Sequence, residues 1–197
     1  NSLVSKLNDL EARFQEVSTL ITDPAVVADM KRYVRLNKEY RELEQILDAR
    51  KRYINLLTTL AEAKDLLANE SDPVGRENLL TRIAILEMTS NNFVAAIEAL
   101  NQSLNIDAEE DDGLALYFIA QCYVASAKDC TAGLAKEAVY WVGYDLLQRA
   151  IPLLEASDAN VAENAKKLAA SYRSVFPTAE ECFFAELTEG ASYTINC

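Results

Sequence analysis

The sequence predicts an all-α fold: a helical hairpin over residues 1–72 joined to helix pairs over residues 73–197. Three observations predict it. Only 5 Gly and 4 Pro occur in 197 residues, too few to turn a chain of many short strands. Half of the residues are apolar, and they recur at three- and four-residue spacing rather than in alternation. The pattern breaks at few places, chiefly Thr22-Asp23-Pro24 and Asn69-Glu-Ser-Asp-Pro-Val-Gly75.

Leu3, Leu7, Leu10, Phe14, Val17 and Ile21 are spaced 4-3-4-3-4, which draws one apolar stripe along a first helix. Thr22-Asp23-Pro24 ends it, with Asp23 as the N-cap of the next helix and Pro24 at its first position. A longer stripe follows: Tyr33, Leu36, Tyr40, Leu43, Leu47, Arg50, Ile54, Leu57 and Ala61. Only Arg50 breaks it, and the expectation is that its stem lies along the seam with the head in water. A hairpin of one short and one long arm offers a single thin seam, so it needs a further partner. Charge divides the chain at the same place. Residues 1–72 carry 11 basic and 13 acidic side chains, residues 73–197 carry 8 and 18, which predicts two modules with different surfaces.

The stretch Leu3-Val-Ser-Lys-Leu-Asn-Asp-Leu-Glu-Ala-Arg-Phe-Gln-Glu-Val, then Leu20-Ile-Thr-Asp-Pro, then Arg35-Leu-Asn-Lys-Glu-Tyr-Arg-Glu-Leu-Glu resembles the N-terminal helical domain of bacterial class I peptide chain release factors. The resemblance covers about residues 2–72. In that family the domain lies near the ribosomal GTPase-associated region and performs no chemistry, so the resemblance implies docking. The Gly-Gly-Gln tripeptide that hydrolyses peptidyl-tRNA in the family does not occur in these residues, nor does the stop-codon-reading domain. Termination activity is therefore not implied.

Beyond Glu77 the stripe changes to helix pairs. Leu80, Ile83 and Ala84 are followed by Phe93, Ala96, Leu100 and Ser103. Ala120, 36 residues after Ala84, is flanked by Leu116, Ile119 and Tyr123, and Gly143, Leu147 and Ala150 repeat the spacing of Ala96, Leu100 and Ser103. This resembles tetratricopeptide repeats, helix–turn–helix units of about 34 residues with small side chains at these offsets. The match departs from the pattern at Glu87, where an aromatic is usual, at Asp107-Ala-Glu-Glu-Asp-Asp in place of a proline, and in about eleven extra residues around Lys128–Gly133. Two irregular repeats and a closing helix over Ala159–Ser174, stopped by Pro177, are expected. The alternating tail Ser192-Tyr-Thr-Ile-Asn-Cys197 reads as a short C-terminal β-strand whose partner lies further along the chain.

Composition removes several chemistries. No histidine occurs, which excludes Ser-His and Cys-His pairs and His-containing zinc sites, and no phosphate-binding or nucleophile motif occurs either. No enzyme, cofactor or metal is expected. A net charge of −12 argues against direct DNA binding, and no apolar run reaches the length of a membrane span. Asp107–Gly113 fails as a calcium loop, because its sixth and twelfth positions hold Asp112 and Phe118, and reads as a turn that caps the next helix. Cys122, Cys130, Cys182 and Cys197 lack metal spacing; reduced thiols are expected, with Cys130 the candidate to oxidise with Cys182 or Cys197. Tyr117, Phe118, Tyr140, Trp141 and Tyr144 read as core filling. The cations Lys31, Arg32, Arg35, Lys38, Arg50, Lys51 and Arg52 are expected to pair with interleaved Glu39, Glu42, Glu44 and Asp48, with an acidic protein or ribosomal RNA as the other use of that face.

The main functional expectation is a non-catalytic interaction scaffold. By the tetratricopeptide resemblance, Asn78, Thr81, Ile85 and Met88 would line a peptide groove beside Leu114, Tyr117, Gln121 and Val124. The acidic balance points to a basic or neutral peptide or protein as the partner. The alternatives are a translation-associated adaptor whose residues 1–72 contact the ribosome or a termination GTPase, or a composite chain whose first 72 residues only carry the second module. A cytoplasmic location is expected, or a periplasmic or secreted one if a signal peptide precedes Asn1 and the cysteines pair. The seam over residues 33–61 leaves the oligomeric state open.

Overall fold

The computed structural model of the chain describes residues 2–106, 112–130 and 134–186. Every regular element among them is helical: α1 Ser2–Leu20, α2 Pro24–Ala28, α3 Met30–Asn69, α4 Pro73–Thr89, α5 Phe93–Leu104, α6 Gly113–Ser126, a 3-10 turn Ala127–Asp129, α7 Leu134–Ser157, α8 Ala159–Arg173 and α9 Ala179–Phe184. The all-α expectation holds. The strand expected at Ser192–Cys197 lies outside the described residues. The helices divide into two compact units, Asn1–Thr59 and Leu60–Cys197.

In the first unit the Asp23 carboxylate accepts from the Ala25 N–H at 2.8 Å and Pro24 opens α2, as the sequence predicts. The sequence reading passes straight from one hairpin arm to the other, whereas the structure inserts α2 between them. Its Val26 is buried, and with Val17, Leu36 and Leu43 it forms the centre of the core. Phe14 stacks on Tyr40 with ring centroids 4.9 Å apart, which closes one side of that core. The further partner that the thin seam needs is thus supplied locally by α2.

In the second unit α4 packs on α5, α5 on α6, α6 on α7 and α7 on α8. Leu60 and Ala63, from the last turns of α3, join Leu80, Ile83, Ala84, Ala96, Leu100, Ala115, Ile119 and Cys122 in one core. Leu116, Ala120, Leu147, Ala150, Leu154, Ala162, Ala165, Ala169 and Tyr172 form a second. Small side chains at helix crossings let these helices approach closely. At Gly143 a Cβ would stand 2.6 Å from a Val124 methyl and 3.0 Å from the Tyr172 ring, so only hydrogen fits there. Asp72, Asp112 and Asp158 cap α4, α6 and α8 through side-chain oxygens. The capping role expected of the acidic run is carried by Asp112, and Asp107–Asp111 lie outside the described residues. The closing helix falls where the sequence predicts it, one residue shorter.

Glu87 places a charge in this largely apolar interior. It is 3% exposed, yet its carboxylate accepts from Lys64 Nζ at 2.7 Å and from Asn92 Nδ2 at 2.9 Å. Asn92 precedes α5 and makes no side-chain cap bond to it, its amide being turned to Glu87 instead. Asn91 completes the tight α4–α5 turn at φ 61°, the left-handed region that asparagine tolerates better than most residues. The departure from the repeat pattern at Glu87 is therefore a satisfied ionic site. Cys122 is fully buried and its thiol is pushed up to about 11 by that burial, while Cys182 is half-buried and also free. Cys130 is disulfide-bonded, the oxidation for which the sequence marks it as the candidate, whereas Cys182, offered there as a partner, is free.

Candidate functional site

Among the described residues no group of carboxylates and thiols could hold a metal ion, and no helix is long and apolar enough to cross a membrane. What stands out is a charged face on α3 in the first unit. The buried stripe of α3 turns Leu36 and Leu43 to the core, so residues about half a turn away face outward. There Lys31, Arg35, Lys38 and Arg41 are exposed, together with Met30 and Val34. Val34, Lys38, Arg41 and Gln45 border a shallow depression of about 330 Å³.

The interleaved carboxylates do not neutralise this face as expected. Glu39 is taken by Arg13 of α1 in a two-pronged contact, Nε to Oε1 at 2.6 Å and Nη2 to Oε2 at 2.9 Å. Glu44 accepts from the Tyr40 hydroxyl at 3.4 Å. Lys38 reaches Glu42 only at 3.8 Å, and Lys31, Arg32, Arg41, Lys51 and Arg52 make no ion pair among the described residues. Arg50 also departs from expectation: its head is not free in water but donates to Glu11 of α1 at 3.0 Å. Hydrogen bonds from Arg13 hold the Glu39 carboxyl below the usual carboxylate range, and Arg13 itself is held more firmly protonated.

A pH signature follows. A carboxyl whose folded value is depressed contributes stability above its unfolded value, near pH 4.5, and loses that contribution as pH falls through the lower folded value. Glu39→Gln should therefore lower the urea midpoint of the first unit at pH 7. The difference from the parent should close on acidification below the carboxylate range. A gap that persists unchanged at low pH would remove the charge from the explanation.

The residues expected to line a groove fall on α4 and α6. Asn78 and Ile85 are exposed and Thr81 is half-buried, all on α4. Met88 packs against the first core of the second unit. Leu114, Tyr117 and Val124 of α6 pack against the second core, and Gln121 turns its amide back to the Tyr117 carbonyl at 3.4 Å. The aromatic cluster also packs: Tyr140 meets Tyr172 at 5.5 Å, and Trp141 and Tyr144 meet Phe176 edge-on. Sequence reasoning passed over Met30, Val34 and Arg41. Their signal was spacing, since they stand apart from the buried stripe on one stretch of helix.

The first unit is thus a helical hairpin with a charged outer face on α3, and no metal-holding cluster occurs among the described residues. Residues 10–119, more than half of the chain, match the PCRF domain, and the chain belongs to that family. It is similar to peptide chain release factor 1 of Bacteroides fragilis, 55% identical over 114 residues that cover 57% of this chain and 30% of that protein. It is also similar to peptide chain release factor 1 of Parabacteroides distasonis, 48% identical over 112 residues (57% of this chain, 29% of the relative). To the Cytophaga hutchinsonii protein of the same name it is 36% identical over 113 residues (54% and 32%). The chain thus spans less than a third of the length of the curated relatives it matches. No solved structure matches it.

These matches overturn the reading of the chain as a peptide-groove scaffold unconnected with translation. The family match runs across Asp72-Pro73 and takes in α4, α5 and the start of α6. Of the eight groove residues, all but Gln121 and Val124 lie within it. The release-factor resemblance over residues 2–72 holds and extends further along the chain than the sequence reading placed it.

Proposed function

We infer that this stretch of chain is a non-catalytic docking module of translation, which brings a release-factor-like protein to the ribosome. The observation that supports it is the PCRF match over residues 10–119, in a chain whose first unit carries outward cations, Lys31, Arg32 and Arg41 among them, that make no ion pair among the described residues. Surface charges left unpaired cost little in water and become favourable when a partner of opposite sign arrives. Hydrolysis is assigned to none of these residues, because histidine and the Gly-Gly-Gln tripeptide are absent from them. The composite reading loses its motive, since the family match crosses the proposed joint. A chain that docks on ribosomes works in the cytoplasm.

The test is co-sedimentation of the whole chain with salt-washed bacterial ribosomes, in competition with a full-length class I release factor. The chain should pellet at low salt and be displaced by the competitor. Failure to pellet, or pelleting that the competitor leaves untouched, would reject the reading.

A further inference from the structure

We propose that the outer face of α2 and the first turns of α3 is a docking surface for an acidic amphipathic helix of a protein partner. This rests on the docking reading above and names the chemistry of what the first unit touches. Met30, Val34, Lys38, Arg41 and Gln45 follow one another at intervals of four or three residues, which aligns them along one side of α3. Met30 is 69% exposed, Val34 59% and Val27 of the adjacent α2 50%. Three large apolar side chains thus lie open within one short stretch of chain, with Lys31, Lys38 and Arg41 around them.

The carboxylates that could balance those cations are engaged or loosely placed. Glu39 is held by Arg13, and Asp29 accepts from the Arg32 N–H at 3.1 Å where α3 begins. Glu42 remains at the rim, 3.8 Å from Lys38, too exposed a pair to neutralise the face. The sign of the surface therefore asks for an acidic occupant, and its apolar residues ask for a hydrocarbon one.

A phosphate backbone answers only half of this. It would meet the cations and leave Met30 and Val34 against charged oxygens. Bases would find no exposed ring in these first turns, because Tyr33 and Tyr40 are half-buried in the core and the exposed Tyr53 lies further along α3. A helix with apolar side chains at three- and four-residue spacing, flanked by Asp and Glu, meets both requirements.

The full chain should be titrated against ribosomes and, separately, against protein-free ribosomal RNA. Two double variants accompany it, Met30→Ser with Val34→Ser and Lys38→Glu with Arg41→Glu. All four positions are exposed, so melting curves should match the parent. The parent is expected to bind ribosomes but not the bare RNA, and each double variant to weaken ribosome binding by about tenfold. Added salt should shrink the effect of the charge variant and leave that of the serine variant. If the serine variant binds like the parent while bare RNA is bound with steep salt dependence, the occupant is phosphate; the docking reading then stands and this proposal falls. If the parent binds no ribosomes, the docking reading falls and this proposal falls with it.

Discussion

Leu36→Ala should unfold the first unit and abolish ribosome binding, while α4 to α8 keep their structure. Leu36 is buried at the centre of a core whose buried members are Val17, Val26, Leu36 and Leu43. Truncating a buried leucine costs about 2–5 kcal/mol, from lost transfer energy and from the cavity left behind. A unit of some sixty residues holds roughly 3–9 kcal/mol in total, at the stability per residue of ordinary domains. The loss is therefore comparable with everything the unit has. Leu57→Ala, at an exposed position of the same helix, is the control and should cost under about 1 kcal/mol. Hydrogen exchange read by segment separates the outcomes. Amides of residues 10–45 should lose protection in the first variant, and those of α5 to α8 should not. Retained protection over 10–45 would show that the core is held by more than these four residues.

Lys64→Met is expected to be the most damaging change at the ionic site of the second unit, and more damaging than Glu87→Met. Removing the lysine leaves a carboxylate that is 3% exposed with one amide donor, Asn92. Breaking a buried pair from one side costs about 3–5 kcal/mol, and the half-open position of Lys64 lets water replace part of it, so about 2–3 kcal/mol is expected. Removing the glutamate instead frees a lysine whose side chain is already 52% exposed and can return to water. That change should cost about 1 kcal/mol or less, because the exposed Asn92 amide can turn to water as well. The double variant should recover most of the loss of Lys64→Met. Urea titrations of the four proteins complete the cycle, and equal losses from the two single variants would show that the buried charge is not the source.

Much of the backbone was legible because helices announce themselves locally. Asp23-Pro24 and the closing helix near Ala159 could be read from a cap, a proline and a stripe, all of which act within a few residues. The short α2 was not read, since a five-residue helix offers no full period and Val26 looks like any surface valine until a core forms around it. Glu87 was read as a break in a repeat. Its partners Lys64 and Asn92 lie 23 and 5 residues away, and no spacing rule joins a helix end, a helix interior and a turn. The charged face failed for a related reason. Alternating signs along α3 read as mutual pairing, and only the arrival of Arg13 from another helix shows that Glu39 is taken. The small residues of α4 to α7 were placed correctly in the interior, but close helix crossings need small side chains whatever the family. That is why they lent themselves to a functional reading that the matches to release factors overturn.

Cys122 gives the second unit a clock of its own. A thiol that is buried and pushed up to about 11 is both shielded and neutral at pH 7, so an alkylating reagent meets it only when the helices around it part. Cys182, half-buried on the short α9, reacts without waiting for that event. The two free thiols therefore separate in time within a single labelling reaction. The slow one counts spontaneous openings of the packing around α6 in the native protein, without denaturant.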